Sequence, residues 1–210
     1  MKAQTQALTT VLITTVVIGA AASTYIWGQP IIDKQESQSD IDGLERQVTE
    51  IHSLVDDVSR SGSNHRSNME ISLTQGSLEV NDEGNYIQVT APAENSPYAP
   101  GWTLIEGNAR QNVSIWGGDF ASEESSPGVI AVKTTESRAS DTIEYRIEFR
   151  NRRTGEGLER VELSPVGRTT GTGDFTLSLT NRGRSIDSSY EISTGETFQL
   201  TKTVVEVDIQ

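Results

Sequence analysis

The chain has two histidines, His52 and His65, and no cysteine. Neither histidine stands at ligand-like spacing from another, so a transition-metal site of the usual nitrogen and sulfur type has no support. Thiol chemistry and disulfide staples are excluded. No G-x-S-x-G elbow, P-loop or dinucleotide fingerprint occurs. Acids are plentiful, but on alternating strands they read as solvated-face residues. Asn81-Asp82-Glu83, and Asp119 with Glu123-Glu124, fall in loops that offer oxygen ligands for calcium, yet they match no defined loop motif. We therefore expect no enzyme, no catalytic residue, no cofactor and no metal. One modification motif is present. Asn112-Val113-Ser114 satisfies N-x-[ST], which makes Asn112 a candidate N-glycan acceptor if its side chain points outward from a strand.

The elements that carry these residues begin with the N-terminus. From Ala3 through Ile32 no residue is charged, and Lys2 stands before this run. The stretch Ala7 to Trp27 makes a helix of about 30 Å, enough to cross a bilayer core. Tyr25 and Trp27 sit at the far end, where amphipathic rings favour the headgroup layer. Asp33, Glu36 and Asp40 follow. The charge bias puts the N-terminus inside and the bulk of the chain outside. The rival reading is a secretory signal peptide cut near Ala20-Ala21-Ala22. Thr9, Thr10, Thr14, Thr15, Ser23 and Thr24 make the helix weakly apolar for a simple anchor. Gly19 and Ser23 form a small-xxx-small pair, the kind that lets helices approach closely. Such residues are also tolerated in an ordinary single span.

Gly28-Gln29-Pro30 marks an expected kink or break. Beyond it, Ile41, Leu44, Val48, Ile51, Val55 and Val58 recur at spacings of three and four, one narrow apolar seam. Ser39 or Asp40 would cap this helix, and Ser61-Gly62-Ser63-Asn64 would end it. His52 falls on its polar flank and His65 in the following link. The seam fits a helix lying on its own domain, or a stalk packing against neighbours. From Met69 the period becomes two. Alternating runs start at Met69, Ser77, Asn85, Trp102, Asn112, Gly128, Asp141, Leu158, Phe175 and Thr197. The expected fold is an N-terminal hydrophobic and amphipathic helix followed by an all-β antiparallel sandwich domain, with roughly eight to ten strands. The expected divisions are a signal segment, residues 1–3; the helix and stalk, 4–62; and an extracellular β-sandwich, 63–210.

Net charge is −13, and lysine occurs only at Lys2, Lys34, Lys133 and Lys202. An acidic, lysine-poor surface suits solubility in high salt and argues against nucleic acid as a partner.

The start Lys2-Ala3-Gln4, followed at once by the hydrophobic helix, resembles the class III signal peptide of archaeal type IV pilin-like and archaellin-like proteins. That resemblance implies cleavage by a prepilin peptidase between Ala3 and Gln4. It implies a membrane-inserted precursor whose helix is later withdrawn, by pilus assembly machinery, into the core of an extracellular filament coated by the β domain. The partner is then the chain itself, as a helical homo-oligomer. Within the family the acidic surface points to haloarchaea. Bacterial type IV pilins usually carry a glutamate where Leu8 stands, so an archaeal subunit fits better. Gln4-Thr5-Gln6-Ala7 is less glycine-rich than an archaellin opening, which favours an adhesive pilus over a swimming filament. The alternative is a permanently membrane-anchored extracellular binding module.

Overall fold

The computed structural model describes residues 2–93, 96–106, 128–136, 141–155, 157–191 and 197–210. A single α-helix, α1, runs Lys2–Arg60. It continues through residues 28–30 and needs no new cap at Ser39 or Asp40. This corrects the expected break. Pro30 removes one N–H, and the flanking i→i−4 bonds are enough to carry the helix through. The chain divides into two compact units, Met1–Asp40 and Ile41–Gln210. The last five turns or so of α1 therefore belong to the β unit.

Nine strands follow: β1 Arg66–Asn81, β2 Tyr86–Pro92, β3 Thr103–Glu106, β4 Gly128–Thr135, β5 Thr142–Phe149, β6 Arg152–Thr154, β7 Gly157–Val166, β8 Thr170–Glu191 and β9 Thr197–Ile209. They hydrogen-bond in the order β3-β4-β5-β2-β1-β8-β9-β7-β6. Every pairing is antiparallel except β7 with β9. A parallel pair needs a crossover, and β8 supplies it. β5 shows the expected strict alternation, with Ile143, Tyr145, Ile147 and Phe149 buried and the residues between them half-exposed. The run expected at Asn112 lies outside the described residues.

β1 joins two runs that the sequence separates. Its pairing with β8 shifts between Leu73 and Leu78. Gly76 sits there with φ +131, and a Cβ at that position would strike the Thr90 carbonyl oxygen. Only glycine satisfies both conditions, so the bulge is written into the sequence at this residue.

The sheet curls over on itself. β7 is far from β5 along the strand order, yet Asn85 bonds the backbone of both. Its Nδ2 donates to the Phe149 and Val161 carbonyls (2.6 and 2.7 Å), and its Oδ1 accepts from the Leu163 N–H at 2.9 Å. The layers of the expected sandwich are thus two halves of one continuous sheet.

The seam of α1 fills the interior. Ile41, Val48, Ile51, Val55 and Val58 are buried in one cluster with Ile71, Leu78, Ile87, Tyr145, Ile147, Leu177 and Val205. Of the two uses the sequence leaves open for the seam, burial on its own domain is the one observed. The helix end is held from β8. Asn181, 1% exposed, donates to the carbonyls of Val58 and Ser61 at 3.0 and 2.9 Å. The Ser61 N–H also reaches the Val58 carbonyl at 3.2 Å, so Asn181 adds a second donor there and supplies one to the Ser61 carbonyl at the helix end.

Candidate functional site

The first unit presents the most unusual surface. Leu12, Ile13, Val16, Val17, Ile18, Tyr25, Ile26, Trp27, Ile31 and Ile32 are 57–80% exposed. At about 100° per residue these ten side chains fall on every side of the helix. Soluble proteins seldom leave so much contiguous apolar surface uncovered. Among the described residues α1 is one helix long and apolar enough to cross a membrane by length and composition. Its polar side chains suit an apolar setting. Ser23 Oγ donates to the Gly19 carbonyl and Thr24 Oγ1 to the Ala20 carbonyl, each at 2.9 Å. Hydroxyls bonded back to the preceding turn carry no unmet donor into lipid or into a helix bundle. At Gly19 an added Cβ would meet nothing within 4 Å. The open side of Gly19 is therefore available to another molecule.

The other sequence-selected residues do not converge. Ala3 and Gln4 lie in the first turns of α1. Asn112, Asp119, Glu123 and Glu124 lie outside the described residues. Asn81 ends β1, and Asp82 and Glu83 open the turn to β2. There Asn81 Oδ1 accepts from the Gly84 N–H at 2.7 Å and Asp82 Oδ1 from the Glu83 N–H at 3.0 Å. These carboxamide and carboxylate oxygens cap the turn. Among the described residues no three His, Cys, Asp or Glu side chains gather as a metal site. His65 is exposed.

His52 is not on a polar flank, as its neighbours suggested, but buried at 4% exposure. The curled sheet covers more of the helix than one seam. His52 packs against the Phe149 ring and the Gly128 backbone, with Nδ1 3.8 Å from Glu106 Oε2. Burial pulls its pKa below the ordinary value, although Glu106 and Asp56 oppose that shift. Nearby, Tyr98 donates its hydroxyl to Glu45 Oε2 at 2.6 Å and meets Tyr145 edge-on. Burial and this bond to a carboxylate push the Tyr98 pKa up to about 12. Both contacts fasten the buried part of α1 to the sheet.

Sequence reading singled out no arginine. The β unit nevertheless gathers Arg60, Arg152, Arg160 and Arg184 around a cleft of about 280 Å³. They come from α1, β6, β7 and β8, so no linear motif announces them.

Compared with known protein families, characterised proteins and solved structures, the chain matches none. The architecture is a long N-terminal helix followed by a β domain, a generic pilin-like arrangement. It is compatible with a structural, membrane-associated protein that self-associates.

Proposed function

We propose that this chain is a structural subunit of an archaeal type IV pilus-like filament that serves surface adhesion. One observation carries the reading: a helix apolar on every side, whose large apolar side chains from Leu12 to Ile32 are exposed among the described residues. Such a helix is stable when surrounded, first by lipid and then by copies of itself. The class III signal resemblance supplies the route. A prepilin peptidase cuts between Ala3 and Gln4, which removes Lys2 and with it the only side-chain charge before Asp33. The membrane-inserted precursor then passes to the assembly machinery and becomes an extracellular filament. Repetition of one heterologous contact gives an open helical polymer rather than a ring. The acidic, lysine-poor β unit forms a coat suited to a haloarchaeal cell surface, and an Asn112 glycan would lie on that coat. The chain works as material and as a gripping surface, without catalysis.

A second reading is favoured by the burial of the Ile41–Val58 seam within its own unit. The chain would then be a permanently membrane-anchored extracellular binding module. The variant Gly19→Trp separates the two. A Cβ at that position meets nothing within 4 Å in the single chain, so the variant probes contacts between molecules. Electron microscopy of cells making Gly19→Trp should show filaments lost or sparse beside wild type. Unchanged filaments refute the role of Gly19. Absence of this chain from any filament of wild-type cells supports the anchored module. Mass spectrometry of native material should find Gln4 as the first residue.

A further inference from the structure

We infer that the arginine-lined cleft of the β unit binds an acidic saccharide, through a carboxylate and neighbouring hydroxyls of one or two sugar residues. The cleft is lined by Asp56, Ser59 and Arg60 of α1, Arg152 of β6, Glu159, Arg160 and Val161 of β7, Arg184 of β8 and Thr203 of β9. Four cations face two anions there, in a chain with 17 basic and 30 acidic residues. The local charge is opposite in sign to that of the whole.

Both acids are already engaged. Asp56 Oδ2 holds Arg60 Nη2 at 2.7 Å, and Glu159 Oε2 holds Arg152 Nη2 at 2.5 Å. Arg160 and Arg184 form no ion pair among the described residues. Glu148 lies within electrostatic reach of Arg160 without forming one. Three polar atoms of the lining are buried with no hydrogen-bond partner: Arg152 Nε, Arg160 Nε and Asp56 Oδ1. A buried polar atom left unpaired is destabilising by about 1–3 kcal/mol. The set is chemically selective. Guanidinium N–H groups match a carboxylate in paired geometry. Asp56 places a carboxylate in the lining, which repels a fully ionised oxyanion and can accept from a sugar hydroxyl. Ser59 and Thr203 add hydroxyls of their own. A uronic acid presents both halves of this pattern on one small rigid ring. Contact ion pairs within a cleft also persist where salt cancels longer-range attraction.

The inference deepens the adhesion reading by naming what the surface grips, and it stands on the β unit alone. Isothermal titration of the purified full chain in zwitterionic detergent tests it, with digalacturonate as the probe and maltose and inorganic sulfate as comparisons. Digalacturonate should bind, maltose should not, and sulfate should bind at least tenfold more weakly. Arg160→Gln and Arg184→Gln should each weaken digalacturonate about tenfold, the loss of one charge-assisted pair. Arg182→Gln alters a residue that pairs with Glu206 on the exposed surface, and it should leave binding unchanged. Unfolding midpoints check that each variant is folded, and Arg160→Lys with Arg184→Lys replaces any that is not. No binding of digalacturonate, or equal binding in the double glutamine variant, overturns the proposal. Equal affinity for sulfate overturns the saccharide assignment, and binding of maltose overturns the role of charge. None of these results bears on whether the chain forms filaments.

Discussion

Replacing Asn85 should do more damage than any other polar substitution in the β unit. Asn85 is 1% exposed and has φ +53. Asn85→Ala removes three hydrogen bonds that join the two halves of the sheet. At about 1 kcal/mol net each, the loss is about 3 kcal/mol. Alanine in a left-handed conformation adds about 1–2 kcal/mol of strain that asparagine tolerates better. The sum is about 4–5 kcal/mol, or roughly 8–20 °C in melting temperature for a domain of this size. Asn85→Gly relieves the backbone strain while leaving the same bonds unmade, so it should be about 1 kcal/mol milder than alanine. Asn85→Asp keeps an acceptor for Leu163 N–H but faces two carbonyls without a donor, and should be worse than alanine at neutral pH. Guanidinium unfolding of the full chain in detergent, followed by intrinsic fluorescence, gives the three values. A loss below about 1 kcal/mol for Asn85→Ala would falsify the bridge between layers.

Three further outcomes follow from the same packing. His52 has a pKa lowered by burial from an ordinary 6.5. The unfolded chain therefore takes up its proton first, and the stability that His52 contributes is full above about pH 6.5 and declines as pH falls toward the lowered value. His52→Gln should flatten the wild-type loss of melting temperature between pH 7 and 5, and parallel curves for the two proteins refute this. Gly128→Ala places a methyl against the His52 ring and near Phe149 Cε1. Overpacking should destabilise by about 1–3 kcal/mol in the same denaturation assay, and a neutral result would mean the ring has room to move. Asn181→Ala leaves the Ser61 carbonyl without its Asn181 donor and the Val58 carbonyl with the Ser61 N–H alone. The expected loss is about 2–3 kcal/mol, with faster amide exchange in the last turn of α1. Asn181→Asp should be at least as harmful, because it sets a negative charge at a helix C-terminus.

The parts of the fold legible in the sequence are those where one face is buried and the other wet. β5 alternates because Ile143, Tyr145, Ile147 and Phe149 point inward while Glu144, Arg146 and Glu148 do not. The Ile41–Val58 seam was visible for the same reason. The far half of β8 was not, since Arg182, Arg184, Ser185, Ile186 and Asp187 are not buried and no two-residue rhythm is imposed on it. The parallel register of β7 with β9 depends on the order in which strands meet, which local periodicity does not encode. His52 looked solvated because three-and-four spacing describes a narrow stripe, while a sheet curling around the helix covers a wider arc. The apolar run of α1 was plain from composition. The cleft was invisible, because Arg60 and Arg184 are brought together only by the curled sheet.

The place of β9 in the sheet has a consequence for the order of synthesis. β9 is not an edge strand but lies between β8 and β7, pairing with both over most of its length. Until residues 197–209 have emerged, β7 and β8 have no common partner and the interior around Val48, Ile51 and Val55 stays open. Contacts between residues so distant in sequence form late and slowly. During that interval the apolar face of α1 at 41–58 is covered incompletely, the condition in which partly folded chains associate. A chain lacking β9 would keep β8 on β1 and β7 on β6, and would leave one edge of each strand unpaired. The two edges are joined only when β9 has taken its place between them.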